Sequence, residues 1–137
     1  VPDGVVMTEV EDAVKFVEET GVDLFAPAVG NVHGMIKGGL EPKLDIERIR
    51  QIKEGTRMPL VLHGASGNSD EEIKEAIKAG ISIIHINTEL RLAYKQGLQR
   101  GLSENPDEVA PYKFLRTAVA EMQALVEKKL RLFANLS

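Results

Sequence analysis

Residues 60–67 read LVLHGASG. An unbroken apolar run with no polar alternation describes a strand buried on both faces, and such strands belong to parallel sheets covered by helices. The run stops at His63 and turns at once into Gly-Ala-Ser-Gly. A buried strand has little use for an imidazole followed by glycines, whereas a binding site has several. Two other stretches repeat the design. VDLFAPAVG (22–30) leads into GNVHG (30–34), and ISIIHINT (81–88) ends in HINTE (85–89). Each of the three strands therefore carries its unusual residues at its C-terminal end. Active sites of βα barrels gather on that face, while an open doubly wound sheet gathers them at its switch point. The barrel is favoured. Three strands are too few to close one, so the expected fold is α/β, the C-terminal half of a (β/α)8 TIM barrel. All 137 residues are expected to form part of that single domain.

Helical patterns separate the strands. Within residues 8–19, Val10, Ala13, Val14 and Val17 fall at helical spacing, with Gly21 as the stop. Asp45 is a candidate cap for a short helix carrying Ile46, Ile49 and Ile52, closing before Pro59. Ser69 and Glu72 have the spacing of a capping box, so DEEIKEAIKA (70–79) predicts a helix with Gly80 at its end. A further helix is expected over 89–102, then a polar linker, ENPDEVAP. Over 112–133, Leu115, Val119, Met122, Val126, Leu130 and Phe133 recur every three or four residues. That pattern predicts one long amphipathic helix, its stripe used in barrel packing or in a subunit contact.

Composition narrows the function classes. With 43% hydrophobic residues the chain can bury one core of ordinary size. A net charge of −4 and a pI near 5.4 argue against a nucleic-acid footprint, which is normally basic. There is no apolar run of about 18 residues, so a membrane span is not expected. The opening VPDGVVMTEV lacks the layout of a signal peptide. The absence of cysteine rules out disulfides and thiolate metal sites and suits a cytoplasmic location. Because the chain opens without Met on a Pro-Asp-Gly loop, it is expected to be a piece of something longer.

The chain's three histidines, His33, His63 and His85, all fall at strand ends. Three imidazoles can hold zinc in an open tetrahedral site; in the competing reading each is a hydrogen-bonded plug at the barrel mouth. His63 shares parity with Val61, and His85 with Ile83 and Asn87, so inward-facing odd positions would aim both rings into the barrel. Glycines and a serine after a strand leave backbone N–H groups facing an anion. Lys37 adds a positive charge, and the following helix starts add their dipoles. Two such turns, each joined to a histidine, point to a phosphorylated substrate beside a metal. Arg116 has the guanidinium a phosphate prefers, although a plain surface arginine reads the same way. The charges of EPKLDIERIR, EEIKEAIK and VEKKLRLF read as solvated helix faces.

Taken in order, TGVD (20–23), Gly30-x-x-His33-Gly34, PKLD (42–45), PLVLHGAS (59–66), Thr88-Glu89-Leu90 and the ENP linker with its long helix resemble one family. It is the class II, zinc-dependent fructose-bisphosphate aldolases, which include tagatose-bisphosphate aldolases. The resemblance is to their C-terminal half and spans essentially the whole chain. It implies that His33 and His63 are zinc ligands and that Gly34, Lys37, Gly64, Ser66 and Thr88 hold the phosphate of dihydroxyacetone phosphate. His85 and Asn87 are then further substrate contacts, and Arg116 lies near the distal phosphate. His85 stands where the family usually has an asparagine that touches the hydroxyketone part of the substrate. The resemblance therefore does not make it the third zinc ligand, and a shifted substrate preference is expected.

The implied reaction is reversible cleavage of fructose 1,6-bisphosphate to dihydroxyacetone phosphate and glyceraldehyde 3-phosphate. Zinc polarises the ketone and stabilises the enediolate, with no Schiff-base lysine. The family's remaining zinc histidine and its catalytic aspartate belong to the N-terminal half, so no catalytic residue is expected here and the piece alone should be inactive. Expected partners are that N-terminal half, a phosphorylated sugar and a second copy in a homo-oligomer. Zinc is the expected cofactor, with a monovalent-cation requirement left open. Two alternatives are carried: the same chemistry on tagatose 1,6-bisphosphate, which differs at one stereocentre, and a non-catalytic phosphate-binding barrel piece.

Overall fold

The computed structural model describes residues 6–31 and 43–134. They fall into two compact units, Val1–Ile86 and Asn87–Ser137.

In the first unit, α1 (Val10–Thr20) ends at Gly21, whose left-handed φ of 65° lets its N–H return to the Val17 carbonyl. α2 (Ile46–Thr56) starts as expected, the Asp45 side chain accepting from the Arg48 backbone N–H. It stops at Arg57, two residues before Pro59. α3 (Asp70–Ala79) carries the full capping box, Ser69 and Glu72 each accepting from the other's backbone N–H. β1 (Leu60–Leu62) and β2 (Ile81–Ile84) pair in parallel. The strand expected over 22–30 narrows to one parallel bridge, Phe25 with Leu60. Pro27 has no N–H to continue a ladder, and the Ala28 N–H is taken by the Thr8 hydroxyl at 2.8 Å.

The core of this unit is where the helices meet the strands. Ile49 and Ile52 of α2, Leu60 and Leu62 of β1, and Ile73 of α3 are fully buried. Each contributes roughly 1.5–3 kcal/mol by leaving water. Arg48 joins the starts of α1 and α2, reaching Glu9 at 3.1 Å and Asp45 at 3.3 Å. The hydrogen bond it donates to Glu9, then that to Asp45, raises its already high pKa.

In the second unit, α4 (Thr88–Glu104), α5 (Pro111–Phe114) and α6 (Arg116–Phe133) correct one expectation and bear on another. The helix foreseen over 112–133 is interrupted at Leu115, beside a Phe114 carbonyl that lies 3.3 Å from the Thr117 hydroxyl. More consequentially, the large apolar stripe of α6 is not its buried face. Val119 and Leu130 are 60% and 62% exposed, while Ala118, Lys129 and Leu132 are buried. The exposed side lines a groove of about 860 Å³ with Met122 and Val126. Close approach decides the matter. A Cβ on Gly97 of α4 would lie 2.5 Å from Ala118 Cα, and one on Gly101 would strike the Phe114 carbonyl. Only glycine lets these helices meet there, and small Ala118 is what fits between them. Lys129 is buried because it pairs with Glu89 of α4 at 2.8 Å and 3.1 Å through the two carboxylate oxygens. Glu108 forms a surface pair with Lys113 at 2.7 Å. That bond, then the Ala110 N–H, holds its carboxyl below the usual range.

Candidate functional site

His63 and His85 are the first residues beyond β1 and β2. The ladder carries on past the strands, the His85 N–H donating to the Leu62 carbonyl at 2.9 Å. Leu60 pairs with Ile81, but Val61 pairs with Ile83 and Leu62 with Ile84, so one extra residue enters β2 after its first position. Continued by one step, that register sets His63 beside His85. Their side chains meet: Nδ1 to Nδ1 is 3.2 Å, with ring centroids 4.5 Å apart and planes at 70°. The parity reading thus puts both rings on one face for a reason it did not contain. Without the bulge the pairing would slip by one residue and the rings would lie on opposite faces.

Behind His63 the chain turns through Gly64 at φ 65° and Gly67 at φ 104°. Ala65 and Ser66 are buried between them, Ser66 only 4% exposed. A left-handed residue at 64 is costly for any side chain but glycine's hydrogen. The start of α3 offers little to an anion. Its capping groups are occupied by Ser69 and Glu72, and Asp70, Glu71 and Glu72 make its first turn acidic. Any phosphate held here depends on the amides of the 64–67 turn rather than on that helix end.

One positioning residue escaped the sequence reading. Asn31 Nδ2 donates to the His63 carbonyl at 2.9 Å, and its Oδ1 accepts from the Val29 N–H at 2.8 Å. It ties the end of the first strand segment to the backbone that carries His63. The signal was an asparagine directly after Gly30, two residue types that favour turns.

The other expected site residues are distributed as follows. His33, Gly34 and Lys37 lie outside the described residues. Asn87 is the N-cap of α4 and makes no side-chain cap bond, so its carboxamide is not committed to the helix start. Thr88 is the first residue of α4, and Arg116 is the first of α6 and exposed. Glu89 is engaged by Lys129, which suits a helix-start carboxylate rather than a base. Two imidazoles are donors suited to zinc and other first-row divalent ions. Among the described residues no third His, Cys, Asp or Glu completes a group able to hold one.

The family model for fructose-bisphosphate aldolase class-II matches residues 1–136. The chain belongs to the class II fructose-bisphosphate aldolase family. Among its relatives, the 6-phospho-5-dehydro-2-deoxy-D-gluconate aldolase of Shouchella clausii is 43% identical over 125 residues, 91% of this chain and 42% of that protein. The YdjI aldolase of Escherichia coli K12 superposes with a TM-score of 0.74 at 36% identity, over 92% of this chain and 44% of that one. A candidate fructose-1,6-biphosphate aldolase from Coccidioides immitis superposes with a TM-score of 0.80 at 30% identity, over 96% and 45%. The chain therefore spans less than half the length of these aldolase relatives. No helix among the described residues is long and apolar enough to cross a membrane.

Proposed function

We propose that the complete protein is a zinc-dependent class II aldolase built on a TIM barrel, of which this chain is the C-terminal half. It cleaves a phosphorylated ketose reversibly between the carbons α and β to the ketone, releasing dihydroxyacetone phosphate. Fructose 1,6-bisphosphate is the first substrate proposed, tagatose 1,6-bisphosphate the second. The observation that carries the reading is the side-by-side pair of His63 and His85, backed by a glycine-bearing turn, in a chain of the aldolase family. His63 is assigned as a metal ligand with His33. Gly64, Ser66, Gly34 and Lys37 hold the phosphate, joined by Asn87 and Thr88, with Arg116 at the distal end. When bound, the ion supplies Lewis-acid polarisation of the ketone and stabilises the negative charge left by bond cleavage. The residues of this chain orient the phosphate end. The proton at the cleaved hydroxyl is moved by a group outside this chain, since no strand-end carboxylate among the described residues is free for it.

One observation favours a second reading. The Shouchella clausii relative acts on 6-phospho-5-dehydro-2-deoxy-D-gluconate, whose name puts a ketone beside a phosphorylated terminal carbon. Aldol cleavage of that compound also releases dihydroxyacetone phosphate, so the phosphate end of the site assigned here, apart from distal Arg116, would serve it unchanged. Only the far end differs, a carboxylate in place of a second phosphate.

Cleavage of the three substrates by the full-length enzyme, followed as dihydroxyacetone phosphate released, tests the proposal. Activity on at least one is expected, lost with a chelator, restored by zinc, and absent in His63→Ala. Undiminished cleavage by metal-free enzyme would overturn the metal mechanism. Failure on all three would overturn the substrate class.

A further inference from the structure

We propose that His85 is itself a ligand to the ion that His63 binds, so that β1 and β2 each lead into an imidazole held to the metal centre. The inference rests on the metal-dependent aldolase reading above. Its geometric basis is the 3.2 Å between the two Nδ1 atoms. Nitrogens sharing one tetrahedral zinc at about 2.0–2.1 Å each stand about 3.3–3.4 Å apart. An ion therefore needs the two nitrogens to part only slightly, with the rings turning so that both lone pairs face it. Their planes are 70° apart in an edge-on arrangement, so the rings do not stack, and the two Nδ1 atoms are what approach. The arrangement is built into the backbone, because the bulge after Leu60 and the bond from the His85 N–H to the Leu62 carbonyl hold the two positions side by side. The asparagine that class II aldolases usually carry at this position has no imidazole nitrogen to offer. Here, by contrast, the ion gains a second nitrogen donor and the substrate loses a carboxamide contact.

The competing account is a bond between the rings, one Nδ1–H donating to the other Nδ1, with His85 touching substrate only. Titration of the metal-free, full-length protein with zinc and with cobalt separates the two. His85→Asn should weaken zinc binding by at least about ten-fold, a loss that removal of even an outer-shell partner can cause. X-ray absorption should count one histidine fewer at the ion, with the circular dichroism of the fold unchanged. His85→Cys should recover affinity and give cobalt a sulfur-to-metal charge-transfer band, since a thiolate can take the same position. Wild-type affinity and histidine count in His85→Asn, with only KM altered, or a cysteine variant without the band, overturns the inference and leaves the aldolase reading standing. Wild-type metal binding in His63→Ala would instead bring down the metal-dependent reading, and the inference with it.

Discussion

At the scale of single residues, Asn31 matters beyond its size because it satisfies two backbone groups at once, the Val29 N–H and the His63 carbonyl. Each such bond is worth about 0.5–1.5 kcal/mol net. Asn31→Ala should therefore cost the full-length protein about 1–3 kcal/mol in a denaturation experiment. Asn31→Asp keeps the acceptor and loses the donor, so it should fall between the two. Equal stability of all three proteins would show that neighbouring groups or water replace both bonds. Such a residue is hard to find in a sequence. Its neighbours Gly30 and Val29 announce a turn, but its partner His63 is 32 residues away and no local pattern connects them.

Among the elements, the contact of α4 with α6 shows small residues, rather than the large apolar stripe, setting the buried face. The residues at 119, 126 and 130 form a clean helical face, yet the helix turns Ala118 toward its neighbour because Gly97 and Gly101 permit a backbone approach that a larger side chain blocks. The Thr117 hydroxyl completes the contact by donating to the Gly97 carbonyl at 2.6 Å. Gly97→Ala tests this. Alanine is the better helix former by about 0.8–1.0 kcal/mol, but its methyl would meet Ala118 Cα and the Thr117 carbonyl at 2.5 Å and 2.7 Å. Backbone atoms cannot swing aside, so a net loss of about 1–2 kcal/mol is expected, within the usual cost of overpacking. A lowered melting temperature is the readout; a raised one would mean that helix propensity wins and the approach is looser than described. The spacing Gly97-x-x-x-Gly101 was present in the sequence as the clue, while the use of the large apolar stripe, in barrel packing or in a subunit contact, stayed open.

For the whole molecule, the proposed site predicts that metal and stability are linked. An ion that binds only the folded protein adds about 2.7 kcal/mol at one hundred times its dissociation constant. Chelation should therefore lower the melting temperature of the full-length protein, and zinc should restore it in proportion to the logarithm of its concentration. His63→Ala should melt at the same temperature with and without chelator. An unchanged midpoint for the wild type on chelation would count against a metal bound to the native state.

Much of this protein was determined by its sequence alone. Glycine stops, the Asp45 cap and the Ser69 and Glu72 box act within a few residues of themselves, so α1, α2 and α3 could be read directly, and the motif order carried the family. The two strand ends bearing His63 and His85 were equally plain. What only the tertiary structure decided is whether those rings meet. That depends on a one-residue bulge in the pairing of β1 with β2, and strand register is a property of two segments packed together, with nothing in either segment to announce the extra residue. The buried face of α6 was decided in the same way, because how closely two backbones approach depends on the surface of each.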